Sequence, residues 1–156
     1  MSTSRVPAAV DALLATLRAA PALSEVLVID GPPINNLSGG KRLYIGWQRD
    51  AGDIAVSGSQ EFNSAGARTR DENFAIACYA EVWSGDTDMQ LQRNGAYGLL
   101  AVVEDALRAT NAAPEAPTLS GSVLWSQLTT GDLVQQQTDA GACAGLNFTV
   151  ACRARI

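Results

Sequence analysis

Apolar residues recur at helical spacing near the start of the chain: Val6, Val10, Leu13, Leu14 and Leu17 share one face, with Asp11 and Arg18 off it. This predicts a helix with Ser4 as N-cap, Pro7 in its first turn and Pro21 as its stop. Glu25-Val-Leu-Val-Ile-Asp30 reads as a strand closed by the turn signal Gly31-Pro-Pro33, and Asn35 to Gly40 is a second turn-rich stretch. Arg42-Leu-Tyr-Ile-Gly-Trp47 reads as the next strand. The clearest period-two run follows, with Phe74, Ile76, Cys78, Ala80 and Val82 on one face and Ala75, Ala77, Tyr79, Glu81 and Trp83 on the other. Because the second face is nearly as apolar as the first, a central strand covered on both sides is expected.

Ser84-Gly-Asp-Thr-Asp88 signals a helix start, and the buried stripe Met89, Ala96, Leu99, Leu100, Val103, Ala106 and Leu107 carries that helix to Ala109. Glu104 and Arg108 form a favourable i,i+4 pair outside it. After a Pro- and Ala-rich linker, Ser122–Leu128 reads as a strand, Gly131-Asp132 as a turn and Leu133–Thr138 as a continuation. Asp139-Ala-Gly141 is a further turn before a long final strand, Ala144 to Arg155. The order predicts an α+β fold in which one mainly antiparallel sheet packs against two helices. Between the second and third strands, Gln48 to Ala67 is polar and rich in Gly and Ser, with only Ile54, Val56 and Phe62 as apolar anchors. It reads as a long loop holding at most a short strand near Asp53–Ser57, and loops of this length are functional or mobile.

The 156 residues fit one domain spanning 1–156. Hydrophobic residues make up 47% and charged residues 17%, a thin charged surface that points to partial cover by a partner. The net charge of −5 argues against wrapping nucleic acid, which needs Lys and Arg against phosphate. Cys78, Cys143 and Cys152 are few, odd in number and widely spaced, which fits buried thiols in a reducing cytoplasm. No apolar run reaches the roughly 20 residues needed to span a bilayer.

Histidine is absent and Lys41 is the only lysine. Triads built on histidine are therefore impossible, and a zinc site would need thiolates or carboxylates alone, for which three scattered cysteines make a weak case. Gly39-Gly-Lys41-Arg42 fails as a phosphate loop, with Asn35 where the first glycine belongs and Arg42 where Ser or Thr would hold magnesium. Asp86/Asp88 read as helix-start residues and Glu104/Asp105 as a solvated helix face. Neither a catalytic residue, a metal site nor a cofactor is expected.

Asp71 and Glu72 follow Arg68 and Arg70 at the entrance to the best strand. Alternating signs there fit either surface salt bridges, each worth little, or pairing with a neighbouring subunit that sets its register. Trp47, Trp83 and Trp125 read as core aromatics, with an interface anchor as the alternative for at least one.

With these residues laid out, the chain resembles the tail terminator (minor tail protein) family of long-tailed bacteriophages. The similarity is diffuse and runs over most of the length. It rests on the leading helix, the strand ending in Asp30-Gly31-Pro32, the run Arg68-Thr-Arg-Asp-Glu-Asn-Phe-Ala-Ile76 and the helix opening Gly85-Asp-Thr-Asp88. Leu119-Ser-Gly-Ser-Val-Leu-Trp125 and the closing Arg153-Ala-Arg-Ile156 complete it.

The resemblance implies a six-membered ring at the end of the tail tube, which stops polymerisation and offers its other face to the head–tail connector. It places the protein in the tail–neck region of the virion, assembled in the host cytoplasm, with DNA passing through the lumen unbound. An acidic ring suits that passage, since it repels DNA. Arg68, Arg70, Asp71 and Glu72 are the candidate subunit interface, and Asp53 and Phe62 the candidate contact with tube or connector. The loop 48–67 is then expected to be mobile in the free protein and ordered against its partner. Two other readings stay open: a head–tail connector or tail-completion protein of similar shape, and, more distantly, a small cytoplasmic ligand-binding domain or enzyme.

Overall fold

Two long neighbouring strands organise the computed structural model, which describes residues 2–34 and 40–156. In chain order the elements are helix α1 (Val6–Ala19), strands β1 (Leu27–Asp30), β2 (Lys41–Ile45), β3 (Val56–Phe62) and β4 (Arg70–Trp83), helix α2 (Met89–Leu107), and strands β5 (Trp125–Thr138) and β6 (Gly141–Arg155). Short 3-10 turns at Pro21–Leu23 and Ala116–Thr118 follow the two helices. The six strands form one sheet in the order β1-β2-β4-β6-β5, with β3 also paired to β4. Only β1 and β2 run parallel, so the sheet is mainly antiparallel and the fold is α+β.

The alternation of β4 decides where the core lies. Phe74, Ile76, Cys78, Ala80 and Val82 point to the helices, and from β6 Leu146, Phe148, Val150, Cys152 and Ala154 join them. Against this face α1 sets Ala9, Leu13, Leu14 and Leu17, while α2 sets Ala96, Leu99, Val103 and Leu107. Each buried Leu, Ile, Val or Phe among them is worth about 1.5–3 kcal/mol of transfer free energy. The α2 stripe also holds Gln92, whose amide donates to Ser84 Oγ at 2.5 Å and Asp86 Oδ1 at 3.2 Å. That polar position was invisible to an apolar count.

The other face departs from expectation. Among the described residues no helix covers it; its apolar cluster is Ile29, Tyr44 and Tyr79 with Trp47 alongside. The segment after β2 lies across it instead. Gln48 Nε2 donates to the Phe148 carbonyl at 2.7 Å, and Arg49 and Asn147 exchange hydrogen bonds of 3.1 and 3.0 Å. Asn73, Ala75, Ala77, Thr149 and Ala151 are left half-buried on this face. Small side chains made it look like core in the sequence, because alanine counts as apolar whether or not anything covers it.

Three boundaries change for identifiable reasons. The loop 48–67 contains a seven-residue strand, β3, paired with β4 from Val56↔Ile76 to Phe62↔Arg70. An edge strand with both faces wet needs no apolar alternation, so Val56-Ser-Gly-Ser-Gln-Glu-Phe62 did not register as one. Gly58 is required there, since a side chain would collide with Phe74 and the Asn73 carbonyl. The turn expected at Gly131-Asp132 is a β-bulge between Thr129 and Gly131, and β5 continues through it. The uninterrupted β6 partner outweighs the local turn signal. Finally, α2 begins at Met89 with Asp88 as N-cap, its carboxylate accepting from Leu91 N–H at 3.1 Å, and it ends at Leu107. Of the turn-rich stretch Asn35–Gly40, and of the rejected phosphate-loop glycines, residues 35–39 lie outside the described residues. No described helix is long and apolar enough to cross a membrane.

Candidate assembly surface

The charged run at the start of β4 is divided by the strand itself. Successive side chains point to opposite faces, so Asp71 and Glu72 cannot act as a pair.

Asp71 lies on the open face directly across from Arg155 and diagonal to Arg153 in the β4–β6 register. Its carboxylate accepts from Arg153 Nη2 at 2.7 Å and Arg155 Nε at 2.8 Å. These two guanidiniums hold its pKa down at about 2. Folded Asp71 therefore sits below the ordinary carboxylate value of about 3.9, and its contribution is complete above pH ~4 and lost as pH falls through ~2. We expect the urea midpoint of an Asp71→Asn chain to fall less steeply between pH 4 and 2 than that of the wild type. Equal slopes would show that the two arginines do not favour the ionised carboxylate.

Glu72 lies on the helix face and caps α1. Its Oε1 accepts from Arg5 N–H at 2.9 Å and Ser4 Oγ at 3.0 Å, while Gln60 Nε2 donates to Oε2 and to the Thr3 carbonyl, the latter at 2.8 Å. Ser4 Oγ in turn accepts from Val6 N–H at 3.0 Å, and Pro7 has no N–H to satisfy. A carboxylate is also what the positive end of a helix dipole favours. The N-cap position is thus Arg5, one residue after the expected Ser4, and the acceptors for this helix start come from Ser4 and from Glu72, 68 positions along the chain from Ser4.

The four interface candidates consequently separate. Asp71 and Glu72 are 5% and 3% exposed and engaged within the chain. Arg68 is exposed, Arg70 is half-buried, and neither forms an ion pair among the described residues. Asp53 precedes β3 and Phe62 is its last residue, so the length of the strand, six steps of about 3.3 Å each, lies between them. Arg153 and Arg155 were missed as partners of Asp71. Their spacing of two near the end of the last strand was the available signal, since it puts both on one face.

A second charged group occupies the covered end of the open face. Arg42 and Arg49 approach Glu81 at 3.6 and 4.0 Å, and Arg49 donates to Gln136 at 2.8 Å. With Trp83, Thr138 and Cys143 these residues line a cleft of about 320 Å³. Its thiol is not set up as a nucleophile. Cys143 Sγ donates to Glu81 Oε1 at 3.4 Å, and burial together with that carboxylate pushes its pKa to about 11. Burial drives Cys78 and Cys152 to about 12, and Tyr79, beside Arg49, also to about 12. Nucleophilic chemistry needs the ionised form, and each of these groups stays protonated at neutral pH. Among the described residues, no group of three His, Cys, Asp or Glu is placed to hold a metal ion.

The remaining surface features are the outer edges of the sheet, one each at β1, β3 and β5. On its outer side β3 pairs with no described strand, and neither does β5. Five of the eight large exposed apolar side chains among the described residues flank these edges: Leu27 (40% exposed) at β1, Ile54 (68%) and Phe62 (67%) at β3, Leu124 (51%) and Trp125 (38%) at the start of β5. Of the three tryptophans, Trp47 packs edge-on against Tyr44 and Tyr79, and Trp83 donates to the Ala140 carbonyl at 2.9 Å. Trp125 is the exposed one. Compared with protein-family models and with curated proteins, the chain matches none.

Proposed function

We propose that this chain is a structural subunit that works by self-assembly into a ring, and specifically a tail terminator of a long-tailed bacteriophage. In that role the ring caps the tail tube, stops its growth and offers its other face for head joining. The observation that carries self-assembly is that β3 and β5 each leave an outer edge with no described partner strand, flanked by exposed apolar side chains. Edges left bare invite pairing with another chain, and two different edges on one molecule suit a head-to-tail contact that closes on itself. The terminator assignment rests on the residue runs described above, from Arg68 to Ile76 and from Leu119 to Trp125. The protonated thiol of Cys143 in the cleft lined by Arg42, Arg49 and Glu81 weighs against the enzyme reading.

Light scattering across a range of concentration tests this. The monomer is 16.3 kDa, so a hexamer has a mass of about 98 kDa. The expected result is a species near that mass, alone or once purified tail tubes are added, and binding at the tube end. Arg70→Glu is expected to weaken assembly while leaving the monomer folded, because this arginine forms no ion pair inside the chain. A chain that stays monomeric and ignores tail tubes would end the terminator reading. Binding to the head-side connector alone would move the assignment to a connector protein.

A further inference from the structure

Resting on the ring reading, we infer that neighbouring subunits join by strand addition, with β5 of one copy pairing antiparallel to β3 of the next. The partner at each edge is therefore a second copy of this chain.

Strand direction makes the two edges compatible. Between them the sheet runs β3-β4-β6-β5, and all three pairings are antiparallel. Directions alternate, so β3 and β5 point opposite ways. Rotation about an axis along the strands leaves direction unchanged, and a rotated copy presents its β3 antiparallel to β5. An odd number of strands would have forced a parallel join. The same alternation persists around the whole ring for any number of copies.

The levels match as well. Ser57, Ala75, Ala151 and Gln127 form one row across the sheet, and Ser59, Asn73, Arg153 and Trp125 form another. Strand β3 therefore stands level with the first part of β5, before the bulge. A closed ring has no rise between copies, so Val56–Ser59 of the neighbour arrive beside Trp125–Leu128 and its Gln60 beside Leu124. That is where Leu124 and Trp125 are exposed, and the matching edge carries Phe62.

The backbone of β3 is ready for this pairing. Ala77 N–H bonds the Ala55 carbonyl at 2.9 Å and Asn63 N–H bonds the Thr69 carbonyl at 3.4 Å. Antiparallel ladders alternate, so Ser57, Ser59 and Glu61 face β4 while Val56, Gly58, Gln60 and Phe62 turn N–H and C=O outward. Strand β3 carries no proline, lysine or bulge, the usual devices that protect an edge.

Gln60→Pro removes one outward donor without touching the β3–β4 ladder, and proline is tolerated on edge strands. Gln60→Ala is its control, because it loses the same contact to Glu72 but keeps the N–H. Association measured by light scattering is expected to weaken about tenfold or more for the proline variant relative to the alanine one. Should the proline chain fail to fold, cysteine pairs decide instead. All three native thiols are buried, so Ser57→Cys with Gln127→Cys, and Ser59→Cys with Gln127→Cys, report specifically. Oxidation of one of these double variants is expected to give a covalent ladder that stops at the ring number, with no disulfide dimer from any single variant.

The outcomes separate the two readings. A wild-type ring with equal association of the proline and alanine variants overturns strand addition and leaves the ring intact. A wild-type ring whose paired cysteines never cross-link, or disulfide dimers from one single variant alone, overturns it too. A wild-type chain that never assembles overturns both.

Discussion

A Phe148→Ala chain is expected to lose about 3–5 kcal/mol of unfolding free energy. Phe148 is fully buried on β6, which lies between β4 and β5, and its ring fills the helix face beside Leu146, Val150 and Cys78. Removing it takes away the transfer free energy of the ring and leaves a cavity that two strands and two helices cannot easily close. Domains of this size are stable by roughly 5–15 kcal/mol, so much of the margin would go. Trp125→Ala is the informative comparison. This larger side chain is 38% exposed at a sheet edge, and its removal is expected to cost the monomer less than half as much while weakening assembly. Urea unfolding of both variants checks the first statement and light scattering the second. A monomer hurt more by Trp125→Ala would mean that this edge is part of the core.

Glu72→Ala is expected to cost about 1–2 kcal/mol, the loss of the acceptor that caps α1. Arg5 N–H, Ser4 Oγ and Gln60 Nε2 all converge on this one carboxylate. Alanine offers none of them an acceptor, and only water in the cleft that Ser4 and Gln60 line can take its place. The first turn of α1 should fray, visible as faster amide exchange at Arg5, Val6 and Ala8. Glu72→Gln keeps one acceptor oxygen but turns an amide nitrogen on another donor, so it should retain part of the stability. The contrast with Arg70→Glu, two residues earlier, is the point of the experiment. One substitution unfolds a helix end in the monomer, and the other should be felt only in the assembly. Stability unchanged by Glu72→Ala, with assembly lost, would return Glu72 to the subunit interface.

Much of the fold was legible because periodicity reports burial. The stripe from Val6 to Leu17 and the one from Ala96 to Leu107 identified both helices and their inner faces, and the Phe74–Val82 alternation identified the central strand. The absence of histidine ruled out histidine-based catalysis from the sequence alone. The candidate surface was harder to read. Arg68, Arg70, Asp71 and Glu72 are adjacent in the chain and looked like one group, yet period-two geometry sends them to different faces and partners. Likewise β3 carried no apolar rhythm, because a strand at the edge with both faces in solvent has nothing to bury.

Local patterning therefore determined what is short-range: which segments coil, which extend, which side of each is apolar, and which chemistries lack their residues. The tertiary structure decided what depends on residues far apart in the chain. It placed Asp71 between Arg153 and Arg155, gave Glu72 to the start of α1, kept β5 running through a turn signal because β6 was there to pair with, and left the outer edges of β3 and β5 without a described partner strand. Each of these is set by register between distant strands, a relation that no window of neighbouring residues contains.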